Sequence, residues 1–271
     1  MPELPEVETT RRGLLDAMTG RSIASARVHD RRLRWAIQDD FEERLAGARI
    51  ETLTRRAKYL LVATDRGTII IHLGMSGNLR VVPADLPTRL HDHVEFILDD
   101  GRSVRFNDPR RFGSMHLVAG DPNLHTLLAH LGPEPLSDTF TGEHLFQASR
   151  GRKVAIKVFL MNAAQVVGVG NIYASESLFH AGIRPTKAAG KLTRAECIRL
   201  AEQVKRVLSD AIEVGGTTLR DYVNPEGNPG YFRQRLYVYE RAGKACRRCQ
   251  TAITQRVLGQ RSTYWCATCQ R

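Results

Sequence analysis

The chain has 271 residues, 42% hydrophobic and 25% charged, a globular composition with room for one large domain or two ordinary ones. Its 40 basic side chains outnumber 29 acidic ones for a net charge of +11, so the surface favours a polyanion, nucleic acid above all, over the bland reading of a merely soluble basic protein. It has no run of about 18 apolar residues and no basic-then-apolar leader, which excludes a membrane span and a signal peptide and predicts a cytoplasmic protein.

The first ten residues, MPELPEVETT, admit three readings: a disordered tail, a helix start, or a chemically active terminus. The pattern predicts a helix over 5–18. Pro5 suits the first helical position, Glu6 and Glu8 suit the positive end of the helix dipole, and Leu14, Leu15 and Met18 form an apolar stripe. From about 20 to 118 the periodicity is that of strands. KYLLVA and TIIIHL flank TDRG, HVEFIL and SVRF flank DDGR, and MHLV follows. This half is expected to be an antiparallel β-sandwich with the first helix laid against it, and the whole chain is α+β.

Residues 119–140, rich in Gly, Pro and Asp, are expected to join two domains, with a short helix around NLHTLLAHL. The remainder is helical up to about 240. Its clearest helix is TRAECIRLAEQVKRVLSDAIEVGG, with a Thr193–Glu196 capping box and a Gly215–Gly216 stop. Ile198, Ala201, Val204, Leu208, Ala211 and Ile212 share its apolar face, and Cys197, beside that face, reads as an inert buried thiol. The organisation expected is therefore 1–118, a linker over 119–140, 141–240 and 241–271.

The other four cysteines fall in the last segment: Cys246 and Cys249, then sixteen residues, then Cys266 and Cys269. Two C-x2-C knuckles at this spacing predict one tetrahedral Zn2+. Four thiolates leave no open position, so the metal is expected to be structural. Residues 241–271 contain no acid and seven basic side chains, so a hairpin carrying Arg256 and Arg261 is suited to phosphates.

Three loops carry further signals. In VVGVGNIYASES, Gly168 and Gly170 are expected at positive φ, with Asn171 capping a helix whose N-terminal donors suit a phosphate. In NDPRRFG, a turn begun by Asn107, Asp108 and Pro109 puts Arg110, Arg111 and Phe112 at its tip. In HLGMSG, Met75 sits in a tight glycine turn. Solvated arginines and a packed Phe explain these strings as well as an aromatic wedge into stacked bases does.

Together PELPEVET, AKYLL, HLGMSG, DPRRFG, VGVGNIYASE, GGTTLRDY, PGYF and the paired C-x2-C motifs, in this order over the whole chain, resemble the formamidopyrimidine-DNA glycosylase and endonuclease VIII family, in particular its bacterial oxidised-purine branch. The resemblance implies an N-terminal helix with a β-sandwich, a helical domain with a helix–two-turn–helix, and a C-terminal zinc-finger hairpin. It implies excision of 8-oxoguanine or ring-opened purines from damaged double-stranded DNA, followed by strand cleavage, by a monomer without a small-molecule cofactor. Pro2, freed by removal of Met1, would be the nucleophile. Glu3 would move protons, Glu6 would order the amine and a water, and Lys58, at the start of the KYLLVA strand, would support catalysis near the lesion. Met75, Arg110 and Phe112 would fill the gap left by a flipped base, with His91 among the DNA contacts. Lys157, Asn171 and Arg261 would contact phosphates, and Glu176 would lie near the site. The loop TTLRDYVNPEGNPGYF would cover the base, with Thr217, Thr218, Leu219, Arg220, Asp221 and Tyr222 as its contact zone.

Gln250 departs from the family's usual glycine after the first knuckle. Two other readings remain: a sister enzyme for oxidised pyrimidines, which the start motif and the DPRRFG turn disfavour, and a damage-binding protein without chemistry, which would tolerate a retained Met1 or a replaced Pro2.

Overall fold

The structure is a computed structural model that describes residues 2–216 and 235–271. Among these, residues 2–129 with 214–216 form one compact unit, and 130–213 with 235–271 form a second.

The first unit opens with α1 (Leu4–Met18), one residue earlier than the sequence pattern suggests. Eight strands follow: β1 (Ser22–Val28), then after the short α2 (Phe41–Leu45), β2 (Ala48–Arg56), β3 (Tyr59–Thr64), β4 (Gly67–His72), β5 (Asn78–Pro83), β6 (Asp92–Leu98), β7 (Arg102–Asn107) and β8 (Ser114–Val118). They pair antiparallel in the order β5–β7–β6–β1–β2–β3–β4–β8. β1 and β2 meet over only two residue pairs, Ser22 with Arg49 and Ile23 with Ala48, so the sheet divides into two halves at that point. Alternate side chains of both halves enter one apolar core. Leu79, Val94, Phe96 and Phe106 come from one half, and Ile50, Val62, Ile71 and Met115 from the other. This shared core makes the unit the expected β-sandwich. From α1, Val7, Leu14 and Met18 join it, and Phe41 of α2 tilts against Phe96 at 6.2 Å.

The second unit contains α3 (Gly142–Ser149), α4 (Ile156–Leu160), α5 (Asn171–Ala181), α6 (Arg194–Glu213), and a hairpin of β9 (Thr254–Leu258) and β10 (Arg261–Trp265). The capping box of α6 forms as expected: the Thr193 N–H donates to Glu196 Oε2 (2.9 Å) and the Glu196 N–H to Thr193 Oγ1 (3.2 Å). Five of the six expected stripe residues are buried, joined by Cys197, Leu200 and Val207, whereas Ile198 is 45% exposed. The segment NLHTLLAHL forms no α-helix: Pro122–Leu124 makes a single 3-10 turn. The expected lesion-covering residues Thr217 to Tyr222 lie outside the described residues.

The sandwich depends on Phe96, which is fully buried between the halves. Phe96→Ala is expected to cost about 3–5 kcal/mol, read as a lowered urea midpoint for loss of the first unit's near-ultraviolet signal.

Candidate functional site: a buried terminus, two loops and a metal-braced hairpin

In the first unit the sequence-selected residues fall into three groups. At the start of α1, Pro2, Glu3 and Glu6 are all buried. Glu3 is the N-cap in extended conformation, and Pro5 is the second helical residue rather than the first. The Glu3 N–H donates to Glu6 Oε2 (2.8 Å), and Glu3 and Glu6 complete a reciprocal capping box. The box fixes the backbone immediately after Pro2. Gly216 presses on it from another part of the chain. Its φ is +79°, and a Cβ there would stand 2.9 Å from Glu6 Oε1. The Gly215–Gly216 helix stop therefore has a second reason to lack a side chain.

Lys58 is not on a strand. Ala57 (φ +55°) and Lys58 form the turn between β2 and β3, with Lys58 half-buried. Two residues whose roles the sequence reading missed tether this turn to α1. Arg55 donates to the Ala57 carbonyl (2.9 Å) and reaches within 3.4 Å of Glu8, which also holds Arg11 (2.7 Å). Burial alone would raise the Glu8 pKa, but hydrogen bonds from Arg11 and Arg12 and the charges of Arg11 and Arg55 bring it below the ordinary carboxylate value. A third missed residue is His72, opposite Tyr59 in the β3–β4 ladder, with its ring 4.9 Å from the tyrosine's. Its Nδ1 accepts from the Gly74 N–H (2.9 Å), which leaves Nε2 to carry the proton of the neutral ring. Burial, with the positive charges of Lys58 and Arg34, pushes its pKa down to about 4.

The two finger loops form the third group. Met75 is half-buried and Phe112 is 45% exposed, with Arg110 stacked 5.0 Å over the Phe112 ring. The loops touch through backbone: a Cβ on Gly74 would lie 2.4 Å from the Gly113 nitrogen. Asp108, fully buried, clamps them together. Its carboxylate accepts from Ser76 Oγ (2.7 Å) in the first loop and from the Gly113 N–H (2.7 Å) in the second. Its own N–H donates to the carbonyl of His91, which sits at φ +71°. His91 is thus fixed beside the same turn. Arg111 faces away from this pairing and binds Asp30 (2.5 Å).

In the second unit, Gly168 has positive φ as expected but Gly170 does not (−109°). Gly170 is the N-cap of α5 and Asn171 its first residue, so the Asn171 side chain is released from capping. It accepts from Lys157 Nζ and donates to the Ser262 carbonyl of β10 (3.0 Å). Lys157 is fully buried, whereas Arg261, at the start of β10, is exposed. Lys157, Asn171 and the root of the hairpin therefore form one polar group at the N-terminus of α5. At the hairpin turn, Gly259 lies against Val158 of α4.

Glu176, one turn further along α5, has a structural task. Its carboxylate accepts the N–H groups of Tyr237, Val238 and Tyr239, each at 2.9 Å, and so fastens the returning chain to the helix. Burial raises its pKa, and the three donors oppose that shift.

The four thiols of Cys246, Cys249, Cys266 and Cys269 all lie within 4.8 Å of one another. A tetrahedron with Zn–S bonds of about 2.3 Å has edges of about 3.8 Å, and the pairs Cys249–Cys266 (3.4 Å) and Cys246–Cys269 (4.0 Å) straddle that value. The donor set fits one structural zinc ion with no open coordination position. Gln250 closes the first knuckle at φ +65°, donating its N–H to the Cys246 carbonyl (3.0 Å), so it adopts the left-handed turn that glycine makes freely.

Two outcomes follow from these geometries. The unfolded His72 ring takes up a proton near pH 6.5 and the folded ring only near 4, so protonation favours unfolding within that window. The thermal midpoint is expected to fall as pH drops from 6.5 to 4, and to fall less in His72→Asn, which keeps an acceptor for Gly74. Gln250→Gly is expected to relieve about 0.5–1 kcal/mol of backbone strain and to raise the chelator concentration needed to strip the metal.

The comparisons with known proteins cover nearly the whole chain. Family models match as the formamidopyrimidine-DNA glycosylase N-terminal domain over residues 1–115, the formamidopyrimidine-DNA glycosylase H2TH domain over 131–223, and the zinc finger found in FPG and IleRS over 243–271. Formamidopyrimidine-DNA glycosylases from Thioalkalivibrio sulfidiphilus and Pseudomonas putida are 56% and 55% identical over 271 residues, covering all of both chains. The MutM (Fpg) protein from Thermus thermophilus superposes with a TM-score of 0.88 at 39% identity, over 99% of this chain and 98% of that one. Lactococcus lactis Fpg in complex with abasic-site DNA superposes at 0.91 and 31% identity, over 99% of each chain. A Lactococcus lactis Fpg mutant with Fapy-dG-containing DNA does so at 0.92 and 32%, over the whole of both chains. Among the described residues no helix is long and apolar enough to cross a membrane. Motif order, sandwich, helical unit and four-cysteine hairpin agree with full-length relatives on every part of the sequence, and the chain belongs to the formamidopyrimidine-DNA glycosylase family.

Proposed function

We infer that this chain is a bifunctional DNA glycosylase and abasic-site lyase that removes oxidised purines, 8-oxoguanine and formamidopyrimidines, from duplex DNA. The observation that carries this reading is the buried Pro2–Glu3–Glu6 terminus of a full-length family member. Once Met1 is removed, Pro2 bears a secondary amine. An α-amino group titrates near pH 7.7–8.0, against about 10.4 for lysine, so far more of it is unprotonated at neutrality. The amine attacks C1′ of the damaged nucleotide, and the bond from C1′ to the base breaks. The base departs with a proton supplied through Glu3. The Pro2 nitrogen gives up its N–H proton, the C1′–O4′ bond breaks with a proton passed to O4′ through Glu3, and the nitrogen lone pair closes a Schiff base (iminium) with C1′. That iminium acidifies the C2′ hydrogens. Loss of one proton expels the 3′-phosphate by β-elimination, and a second elimination expels the 5′-phosphate.

The other residues serve binding. Lys58 and His72, with one cation and one neutral N–H, are suited to a backbone phosphate beside the reacting sugar. The clamped Met75 and Phe112 loops, with Arg110, are suited to the space a flipped base vacates, and His91 to the neighbouring backbone. Asn171 and Arg261 provide donors at the α5 end, and the buried Lys157 holds the Asn171 side chain and adds positive charge beneath it. The zinc ion holds the hairpin that carries Arg261. The protein acts as a monomer on damaged duplex DNA and uses no small-molecule cofactor.

Borohydride reduction during reaction with duplex DNA carrying one 8-oxoguanine opposite cytosine is expected to trap a covalent adduct that peptide mapping places on Pro2. Protein retaining Met1 is expected to bind the DNA and give no adduct. No adduct from protein that begins at Pro2 by mass and binds the duplex would overturn the mechanism in favour of a damage binder. Faster excision of oxidised pyrimidines than of 8-oxoguanine would move the chain to the sister activity.

A further inference from the structure

The far end of α5 carries a second concentration of positive charge. His180, the penultimate residue of α5, stands roughly 13 Å along the axis from Asn171 at about 1.5 Å per residue. Its Nδ1 accepts from the guanidinium of Arg206 in α6 (3.1 Å) and from that of Arg248 in the first metal knuckle (3.0 Å). A cavity of about 270 Å³ opens beside it, lined by His180, Arg206, Asp210, Arg235, Tyr237 and Arg247. Arg248 lies 4.4 Å over the Phe179 ring and Arg247 5.7 Å over the Tyr237 ring, and those two rings stack at 5.3 Å.

Helix-end capping explains part of this cluster, because arginines complement the negative end of a helix dipole. It does not account for the charge. Three guanidiniums, Arg206, Arg235 and Arg247, line the cavity with one carboxylate, Asp210, while Arg248 shares His180 from beside it and Glu176 acts on Arg247 from within the unit. His180 adds no balance: burial, with the charges of Arg248 and Arg206, holds its pKa near 4, so it is neutral at pH 7. Neither Arg206 nor Arg248 is in an ion pair with a carboxylate among the described residues. Their shared acceptor is one imidazole nitrogen with one lone pair, so most of both N–H forks remains to be satisfied. Guanidiniums held against aromatic faces are restrained, and their forked N–H edges pair with two oxygens of a phosphate.

We propose that the cavity between His180, Arg206, Arg235 and Arg247 binds a phosphate oxyanion, at the opposite end of α5 from Asn171. The phosphate comes either from the backbone of a second nucleic-acid segment or from free inorganic phosphate. This site is independent of the lesion chemistry, because none of its residues belongs to the Pro2 terminus or to the Asn171 group.

The test uses the full-length, zinc-loaded chain labelled with 15N-histidine. Inorganic phosphate, titrated at constant ionic strength against chloride, is expected to shift the His180 nitrogens saturably. Arg206→Gln is expected to weaken that binding about tenfold, the worth of one charge-assisted hydrogen bond, while excision of 8-oxoguanine from a short duplex stays unchanged. Arg235→Gln serves as the second variant if Arg206→Gln does not fold. In a second arm, protein saturated with a short lesion duplex is offered a fluorescent undamaged duplex. Recruitment lost in the variant assigns the phosphate to nucleic acid. A saturable phosphate shift without recruitment assigns it to the free ion. No saturable shift at His180 in the folded wild-type chain overturns the site, whatever the excision assay gives.

Discussion

The chemistry proposed for this chain depends on holding a chain terminus still, and termini are ordinarily the least ordered part of a protein. The capping box between Glu3 and Glu6 is what restrains it. Each free N–H at the start of α1 costs free energy if buried without a partner, so a helix that begins inside the protein must satisfy its own first turn. Glu6 does this for the Glu3 N–H at 2.8 Å, and the apolar stripe of Val7, Leu14 and Met18 then anchors the helix in the sandwich core. The residue before the box has almost no freedom left. A nucleophile at Pro2 needs no side-chain rotamer to be selected, because the ring carries its nitrogen in the restrained backbone itself. Rigidity that another enzyme obtains by packing a lysine side chain is obtained here from a helix cap.

Buried carboxylates that accept backbone N–H groups recur as the device that fixes loops. Asp108 joins the Met75 loop to the Phe112 loop through Ser76 and Gly113. Glu176 joins α5 to residues 237–239 before the chain enters the zinc-binding hairpin. Both lie inside their own unit with little or no exposure. An ionised carboxylate has no proton to donate and four lone-pair directions to fill, so it suits loops whose N–H groups lack strand or helix partners. It also commits those loops to one geometry, since a lost partner would leave a charge buried without compensation.

The sequence made some of these elements legible and hid others for physical reasons. Alternating strands, the α6 capping box and the cysteine spacing are local patterns, and each appears in the structure where its residues place it. The segment NLHTLLAHL does not propagate as an α-helix: Asp121 caps the 3-10 turn Pro122–Leu124, and beyond it the chain makes only isolated turns, in which the Leu128 and Ala129 N–H groups share the His125 carbonyl. Asn171 reads as a helix cap because asparagine is the usual cap, yet Gly170 takes that position and frees the amide for Lys157 and Ser262. The sequence reading does not single out His72 and Arg55, and the roles of Asp108 and Glu8, which read only as a turn residue and a helix-start acid, are hidden because partners such as Ser76 and Arg55 are distant in sequence. Thr-Ile-Ile-Ile-His reads as a strand whether or not the histidine accepts from Gly74. Asp108 had one local signal, an Asn-Asp-Pro turn, which announces a turn but not that its carboxylate reaches back 32 residues to Ser76.

α5 shows how a single element can serve two electrostatic tasks. Its N-terminus is the positive end of the helix dipole, and Asn171 and Lys157 gather there. Its C-terminus, closed by the left-handed Gly182 cap, carries the opposite partial charge, which on its own repels anions. Arg206 and Arg248 overcompensate that end, and a neutral His180 leaves their charge undiminished. At the two proposed sites both ends of the helix face phosphate, one through the dipole and one in spite of it. The middle of the helix is occupied by Glu176, whose three backbone bonds tie the metal-braced segment to the same rod. Arg248 belongs to that segment, so the geometry of the second phosphate site depends on the zinc knuckle as much as Arg261 does. Loss of the metal would release Arg248 and Arg261 together, so the zinc ion would support both proposed binding surfaces rather than one.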